Sequence, residues 1–362
     1  MIERLKNLFR RAPESAGSEG SAAVTDDMIL VNAYSTLLAL PKPEFAHVLN
    51  NRRDLSDPEL LPHLDGFCGY VLSRGTKEMS THKYHVILHI QRVQQHASLW
   101  LAPGEWPALC VWARKANALL FVPDGHVLDP DGLVLVHAGN GSCEAGASEP
   151  YPEQALARKA RVESKLAAAG IEVGASLPPL VCEKEVVLRS EEEVIGRVKA
   201  LLLCALRAES CLAGQPMSVA ELFGKILGAD DQITPGEKAY LDLEAPTPHH
   251  SVQLLWRYEA VYLLLWSLGL VAELPYPPQP CDASECVRLL GELPKGKLRD
   301  PAEILDALDL HYRLHWSIRE RRRKEQPEAE GIDAGVVSER HHALNWLVRF
   351  QHAAWDDVDT PT

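Results

Sequence analysis

The chain has 362 residues, with 37 Lys and Arg against 50 Asp and Glu and a net charge of −13. This length favours about two domains, each long enough to bury its own core. The acidic balance argues against broad binding to nucleic acid or anionic membranes, since both need clustered Lys and Arg. No run approaches the roughly 20 apolar residues of a membrane-spanning helix, and the N-terminal MIERLKNLFRR is too charged for a secretory signal. We therefore expect a cytoplasmic protein.

The first predicted elements form a small mixed α/β domain. Residues 1–27 are rich in Ser, Gly, Ala and acid in their second half and indicate a flexible leader. Over 28–137, the runs MILVNAY, GFCGYVL, YHVILHI, ALLFVPDG and LVLVH predict strands, whereas PEFAHVLNN and EWPALCVWARKAN predict helices. This order, β-α-β-β-α-β-β, favours a small α/β sandwich, for which we expect a ferredoxin-like arrangement.

A helical domain is predicted to follow a linker. Residues 138–152 (AGNGSCEAGASEPYP) are small and turn-rich, which is typical of a linker. From 153 to 362, a Ser, Thr or Asp with a Glu three residues later marks several helix starts, as in Ser190 with Glu193. The predicted helices lie near 153–169, 190–209, 218–228, 235–243, 251–269, 283–291, 301–323 and 337–354. The expected fold class of the whole chain is therefore α+β.

Six stretches of the helical part carry a family resemblance. They are RSEEEVIGRVKAL (189–201), ITPGEKAYL (233–241), WRYEAVYLLLWSLGL (256–270), LDLHYRLHWSIRE (308–320), VVSERHHALNWLVRF (336–350) and WDDVDTPT (355–362). Together they resemble the bacterial family known as domain of unknown function 4272, over about residues 157–360. The resemblance identifies a family and names no reaction. The family pattern often carries TDT near its end, where this chain has DTPT, and residues 1–150 carry no such resemblance.

Histidines and an arginine occupy helix faces where apolar residues are expected. At 100° per residue, His311, His315 and Arg319 share the apolar stripe of the helix 301–323. His341 lies on the inward face of the last helix. Polar groups in such places either belong to a structural network or form a functional site.

The helix 251–269 is apolar nearly all round and is expected at the centre of its domain. Its only charges are Arg257 and Glu259. A buried charge is costly unless it is paired, so we expect partners inside the domain for Arg257, Glu259, Arg319 and Glu339. One interpretation of these groups is a structural network of Glu–Arg pairs, with the His and Trp N–H groups donating to backbone carbonyls.

A second interpretation is a metal site. His311 and His315 are four residues apart on a helix and can bind one metal ion through the same face. Glu339, His341 or Asp356 would supply the third ligand. A nearby Glu would then act as general base on a bound water, which gives hydrolysis. The pair lacks the Glu that follows the first His in the metalloprotease motif, since this chain has Tyr312 there. A third interpretation is a catalytic or small-molecule site without metal.

The sequence lacks the common catalytic signatures. It contains no G-x-S-x-G, no G-x-G-x-x-G and no G-x-x-x-x-G-K-[ST] motif. Its eight cysteines form no C-x-x-C pair, and most lie among apolar residues, so we expect reduced thiols. Cys281 and Cys286 are five residues apart, which is weak support for a metal site because no second pair lies nearby.

The leading hypothesis is a non-catalytic interaction or regulatory module with a protein partner. It follows from the absence of catalytic motifs and from the succession of a small α/β domain and a helical one. The alternative is a metal-assisted or general-base hydrolase, for which a divalent metal would be the cofactor. Its catalytic residues would be His315, Glu339, His341, Glu259 and Arg319, and its metal ligands His311 and His315.

Overall fold

The computed structural model describes residues 24–76, 78–276, 278–327 and 329–362. Most of the leader predicted over 1–27, including MIERLKNLFRR, lies outside the described residues. The chain divides into two compact units, with the boundary after Glu153. Each unit buries hydrophobic clusters of its own.

The described part of the first unit contains a six-stranded antiparallel sheet. Its strands are β1 (Ile29–Ser35), β2 (Val48–Asp54), β3 (Gln95–Leu101), β4 (Ala118–Phe121), β5 (Val127–Leu128) and β6 (Val134–Val136). They lie in the order β2-β3-β1-β4-β5-β6. Asn32 of β1 lies opposite Ser98 on one side and Phe121 on the other, so β1 is an inner strand. The strands predicted from MILVNAY, ALLFVPDG and LVLVH are confirmed as β1, β4 and β6.

Helices cover both faces of this sheet. The helices α1 (Leu60–Leu72) and α2 (Thr81–Gln91) pack on the face that carries Tyr34. The helix α3 (Trp106–Lys115), predicted from EWPALCVWARKAN, packs on the face that carries Ala33. Because successive side chains of a strand point to opposite faces, these two neighbours in β1 belong to different cores.

Two segments predicted as strands are helical. GFCGYVL lies in α1 and YHVILHI lies in α2, so both predictions are wrong. The buried residues Leu60, Leu64, Phe67 and Val71 of α1 recur every three or four positions, which is the helical period. That period is visible only over a window longer than GFCGYVL, because a short apolar run fits a buried strand as well as a helix.

Two segments at the edge of the sheet were not predicted as strands but form strands in the structure. PEFAHVLNN, predicted as a helix, contains the first half of β2, and QHASLWL, for which no element is predicted, forms β3. Val48 lies opposite Trp100 and Asp54 opposite Gln95, so pairing between the two strands decides their structure. The element order is β-β-α-α-β-α-β-β-β, which is not the ferredoxin-like order β-α-β-β-α-β.

The segment predicted as a linker, 138–152, turns back on the first unit. The amide of Glu144 donates to the carbonyl of Val134 in β6 at 2.7 Å. Ala147 is buried in the core on the Tyr34 face of the sheet. The change to helical structure follows this segment directly.

The second unit is helical, as predicted. Its helices are α4 (Glu153–Ala168), α5 (Glu191–Leu212), α6 (Val219–Lys225), α7 (Pro235–Leu241), α8 (Pro248–Leu255), α9 (Arg257–Ser267), α10 (Ala283–Arg288), α11 (Pro301–Arg323) and α12 (Ala334–Leu347). Short 3-10 turns lie at Asp230–Gln232, Leu289–Lys295, Phe350–His352 and Trp355–Asp357.

Capping boxes fix two of the predicted helix starts. The hydroxyl of Ser190 accepts from the amide of Glu193 at 3.2 Å, and Glu193 accepts from the amide of Ser190 at 2.8 Å. Thr234 and Glu237 form the same reciprocal pair at the start of α7. Each box satisfies two amides near a helix start that lack a partner within the helix, and the predicted starts are confirmed.

The helix predicted over 251–269 is two helices, α8 and α9, which meet at Trp256. Thr247 accepts from the amide of His250 and caps α8, while Pro248 takes the first helical position. This start signal lies before the predicted bound, so α8 begins earlier than expected.

The helix predicted over 337–354 also has different bounds. Asp333 caps α12 and accepts from the amides of Gly335 and Val336. The helix ends before Arg349, whose φ of +56° lies outside the right-handed helical region. The cap makes the helix start earlier, and the backbone at Arg349 makes it end earlier.

The helix α9 lies at the centre of the second unit, as predicted. Every residue from Tyr258 to Ser267 is buried. Its apolar side chains form one core with those of α5, α11 and α12. Throughout the described ranges, no helix combines the length and the apolar character needed to cross a membrane.

Candidate functional site

The structure brings together the histidines that the helical wheel selects. The Nδ1 atoms of His315 in α11 and His341 in α12 lie 3.0 Å apart, and their rings are nearly perpendicular. One ring must donate Nδ1–H and the other must accept, which fixes opposite tautomers. His311 is buried one turn earlier on α11, and its Nδ1–H donates to the carbonyl of Ala307 at 2.7 Å.

Burial keeps all three of these imidazoles uncharged at neutral pH. Burial is the main cause that lowers the pKa of His311 to about 4 and that of His315 to about 4. Burial holds the pKa of His341 well below its usual value. The three rings are therefore hydrogen-bonding groups at pH 7 and carry no charge.

The predicted metal pair, His311 and His315, does not gain a ligand set. Among the residues that the structure describes, no three His, Cys, Asp or Glu side chains are placed to hold one metal ion. The Nδ1 of His311 is engaged by the carbonyl of Ala307, and the Nδ1 of His315 by His341. Only the Nε2 atoms would remain to bind a metal.

The thiol of Cys281 reaches Cys286 at the edge of the core, despite the weak prediction from their spacing. A hydrogen bond with Cys286, followed by burial, raises the pKa of Cys281. Since a metal binds the thiolate and not the thiol, this environment opposes metal binding by Cys281.

Glu259 belongs to a buried ion pair with Arg340. Arg340 donates to Oε2 of Glu259 from Nε at 3.2 Å and from Nη2 at 2.9 Å. The other carboxylate oxygen of Glu259 accepts from the amide of Cys281 at 2.6 Å. The sequence prediction that Glu259 has a partner inside the domain is confirmed. The sequence did not identify Arg340 as that partner, because the two residues lie on different helices.

Glu339 and Arg257 pair with each other at the edge of the core. Nη1 of Arg257 donates to Oε2 of Glu339 at 3.0 Å. Burial raises the pKa of Glu339, and the charge of Arg257 opposes this rise. Arg319, by contrast, is exposed and donates to the hydroxyl of Thr362 at 2.9 Å. Its predicted place on the core-facing stripe is wrong, because α11 extends past the core at its C-terminal end, although its partner Thr362 does lie within the domain.

Sequence reasoning missed a further buried pair on α11. Arg313 forms a two-point contact with Asp309, from Nε at 2.8 Å and from Nη2 at 3.0 Å. It also donates to Glu163 of α4 at 3.0 Å. The Asp and Arg are four residues apart in DLHYR, a spacing that favours pairing on a helix and could have identified them.

A polar cluster in the first unit was also missed. The hydroxyl of Tyr34 and Nε2 of His63 lie 2.9 Å apart, and Nε2 of His96 lies 3.1 Å from Oδ1 of Asn32. Burial lowers the pKa of His63 to about 4 and that of His96 well below its usual value. His96 belongs to β3, for which no strand was predicted, so no sequence signal placed it beside the others.

A cavity of about 490 Å³ opens between α4, the segment after α9 and α11. We call it the α4–α11 cavity. Its wall includes Lys165, Trp266, Glu273, Tyr276, Leu310 and His311. Two ion pairs also line it: Arg161 with Asp306 at 2.6 Å, and Arg299 with Glu303 at 2.8 Å. No spacing within one helix predicts this cavity, since three segments distant in sequence form it.

Comparison with known proteins identifies a family for the helical unit. A family model described as domain of unknown function (DUF4272) matches residues 158–358. Neither the curated proteins nor the solved structures that were searched gave a match. The paired histidines, the buried ion pairs of α9 and α12, and the α4–α11 cavity all lie within the matched residues. Since the match spans more than half of the 362 residues and agrees with the resemblance expected over about 157–360, the chain belongs to the family of the domain of unknown function (DUF4272).

Proposed function

We propose that the second unit is a non-catalytic interaction or regulatory module of the cytoplasm, with a protein as its partner. The observation that carries this proposal is the pairing of both candidate general bases. Glu259 accepts from Arg340 and from the amide of Cys281 through its two oxygens, and Glu339 pairs with Arg257. A general base must be within reach of its substrate, and both carboxylates instead form ion pairs within the fold.

The candidate histidines support the same proposal. His341 and His311 are 1% and 2% exposed, and His315 faces His341. Their lowered pKa values make them neutral at pH 7, so none of them is the imidazolium that general-acid catalysis requires there. These groups fit the structural-network interpretation, in which polar atoms fix one arrangement of α11 against α12.

The charge of the chain indicates the chemistry of a partner. With a net charge of −13, the chain attracts a basic surface over a distance of about one Debye length. Such attraction raises the association rate and weakens as salt is added. A basic protein is therefore the partner that the chain would recognise fastest.

Affinity capture from the native cell tests this proposal, with the full chain as bait and with reconstitution of the complex from purified components. We expect a complex of fixed stoichiometry whose dissociation constant rises with salt. The variants Glu339→Gln and His315→Gln, checked for folding, should bind the partner within about twofold of the unaltered chain. Failure of every captured protein to reconstitute a complex would overturn the proposal.

A metal-assisted or general-base hydrolase is the second candidate, and the contact between His315 and His341 favours it. Two imidazoles from different helices meet at 3.0 Å, an arrangement in which one ring can orient the other to take a proton from water or a substrate. The ring of Tyr312 lies 5.9 Å from that of His341 and adds a third polar side chain to the group.

Elemental analysis of untagged protein purified without chelator tests the metal-assisted form of the second candidate. We expect far less than one equivalent of zinc, iron or manganese for the non-catalytic module. Near-stoichiometric metal that disappears in His311→Leu or His315→Leu would instead support the hydrolase. His352→Leu is the control, since His352 is exposed and lies outside the histidine group.

A further inference from the structure

The inner wall of the α4–α11 cavity carries a buried acceptor without a partner. His311 lines the cavity and is 2% exposed. Its Nδ1–H is used by the carbonyl of Ala307, so Nε2 is a bare lone pair, and it has no hydrogen-bond partner. Buried polar atoms in proteins are nearly always paired. An unpaired acceptor on a residue that lines a cavity is suited to receive a hydrogen bond from a bound molecule.

A second unpaired polar atom lies on the same wall. The hydroxyl of Tyr276 is buried and also has no hydrogen-bond partner. Nζ of Lys165 lies 4.1 Å from the centre of the Tyr276 ring, a cation–π contact that holds the lysine over the cavity. The charge of Lys165 also reaches His311, where it contributes to the lowered pKa of the imidazole. Lysine, phenol and imidazole therefore lie within electrostatic range of one another.

The charges of the wall indicate the sign of the bound group. Arg161 and Arg299 line the cavity but already pair with Asp306 and Glu303. In the described ranges, Lys165 makes a cation–π contact with Tyr276 and no ion pair, which leaves its charge available. One available cation suits a carboxylate better than a phosphate dianion, which needs several. Glu273, an exposed carboxylate on the rim, adds to the repulsion of a dianion.

The rest of the wall is apolar. Trp266 is 7% exposed, and the guanidinium of Arg299 lies 5.0 Å from its ring centre, which fixes the indole in place. Leu310 lies on α11 next to His311. An apolar body between two polar ends would replace water against these side chains. The volume of about 490 Å³ falls in the range of small-molecule sites.

We propose that the α4–α11 cavity binds a small carboxylate with an apolar body and a hydroxyl at its other end. The hydroxyl donates to Nε2 of His311, and the carboxylate pairs with Lys165. The hydroxyl of Tyr276 serves as a further hydrogen-bonding group for the ligand. This inference goes beyond the proposed function, because the site depends on no protein partner.

Calorimetric titration of the full chain with three related probes tests the site. The probe 3-(4-hydroxyphenyl)propionate carries both polar ends, 3-phenylpropionate lacks the hydroxyl, and 4-ethylphenol lacks the carboxylate. We expect the first probe to bind and each of the others to bind roughly tenfold more weakly, since each loses one polar contact in a buried site. Equal binding of the first two probes, or no binding of the first at millimolar concentration, would overturn the proposal.

Two substitutions test the cation without disturbing the core. Lys165→Met keeps the length of an exposed side chain and removes its charge, so affinity for 3-(4-hydroxyphenyl)propionate should fall roughly tenfold. Lys184→Met changes the net charge equally, at an exposed lysine outside the cavity, and should leave affinity unchanged. Equal affinities in the two variants would show that Lys165 does not hold the carboxylate and would overturn the assignment.

Discussion

At the residue scale, two Glu–Arg pairs of the second unit differ in their access to water. The side chains of Arg340 and Glu259 are 0% and 5% exposed, whereas those of Arg257 and Glu339 are 24% and 21% exposed. Water weakens the Coulomb attraction of the second pair and also stabilises either charge when its partner is removed. The two pairs therefore make a natural comparison of a sealed and a partly solvated ion pair.

Removal of the cation from each pair should give losses of stability that differ in size. Arg340→Met leaves Glu259 buried without its counter-charge and should lower the free energy of unfolding by about 3–5 kcal/mol. Arg257→Met makes the same chemical change at the partly solvated pair and should cost about 1 kcal/mol or less. Urea unfolding followed by circular dichroism at neutral pH measures both, and equal losses would contradict the expected effect of burial.

The buried histidines should make the protein less stable in mild acid. In the unfolded chain a histidine titrates near 6.5, whereas burial holds the pKa of His311 and of His315 at about 4. Between these pH values the unfolded chain binds more protons, so the free energy of unfolding falls as the pH drops from about 6.5 towards 4. Above about pH 6.5 the histidines are neutral in both states, and the protein keeps its full stability. Each unit of pKa shift corresponds to roughly 1.4 kcal/mol.

Urea unfolding at about pH 7, 6 and 5 measures this dependence, and NMR titration of the imidazole protons gives the pKa values directly. His315→Gln should reduce the slope of stability against pH, whereas His352→Gln, at an exposed position, should leave it unchanged. A pKa near 6.5 for His315 in the folded protein would show that burial does not keep the ring neutral.

The helical wheel predicted part of this residue-scale arrangement. It placed His315 and His341 on inward faces, and the structure brings the two rings together. It could not identify Arg340 as the partner of Glu259, because the angle between α9 and α12 decides which side chains meet. It also misplaced Arg319, since periodicity within one helix does not show where the neighbouring helices end.

At the scale of elements, helix starts in the second unit depend on local side-chain chemistry. Ser190 and Glu193 satisfy each other's amides at the start of α5, and Asp300 accepts from the amide of Ala302 at the start of α11. In each cap the two partners are only two or three residues apart in the sequence. They are consequently visible in the sequence and independent of the packing around them.

The cap of α5 can be tested by one small substitution. Ser190→Ala removes the acceptor for the amide of Glu193 and should lower the free energy of unfolding by about 1 kcal/mol. Ser164→Ala makes the same change at an exposed position within α4, where alanine is at least as favourable as serine. Thermal unfolding of the two variants measures the difference. A loss at position 164 as large as that at 190 would argue against a specific capping effect.

An element is predictable from the sequence when the contacts that determine it are local, and is missed when they come from distant segments. The bounds of α11 agree with the predicted 301–323, because Asp300 and Pro301 give a local start signal. The strand β3 has no such signal, and pairing with β1 and β2 on its two sides determines its structure. Short elements held by distant partners are therefore the ones that sequence reasoning misses.

At the scale of the whole molecule, the two units bury separate cores. The clusters around β1 include only residues up to 147, whereas those around α9 and α11 include only residues from 162 onward. The family match begins at residue 158, close to the boundary after Glu153. Separate cores are what independent folding requires.

A fragment of residues 150–362 is therefore expected to fold alone, with a helical spectrum and one cooperative thermal transition. A second fragment that begins at residue 190 lacks α4 and loses Val162 and Leu166 from the cluster against α11. It should unfold at a markedly lower temperature, because that face of α11 becomes exposed. If the longer fragment is unfolded, the second unit depends on the first for its stability.

The burial of α9 on all sides has an evolutionary consequence. A helix at the surface can change its outward positions freely, but every residue from Tyr258 to Ser267 is enclosed. Each substitution there must preserve both volume and polarity, so divergence should proceed by exchanges of similar apolar residues. Glu259 can be replaced only together with Arg340, since a change in one leaves the other charge buried alone. Relatives that have drifted far apart at their surfaces should still be recognisable from this one helix.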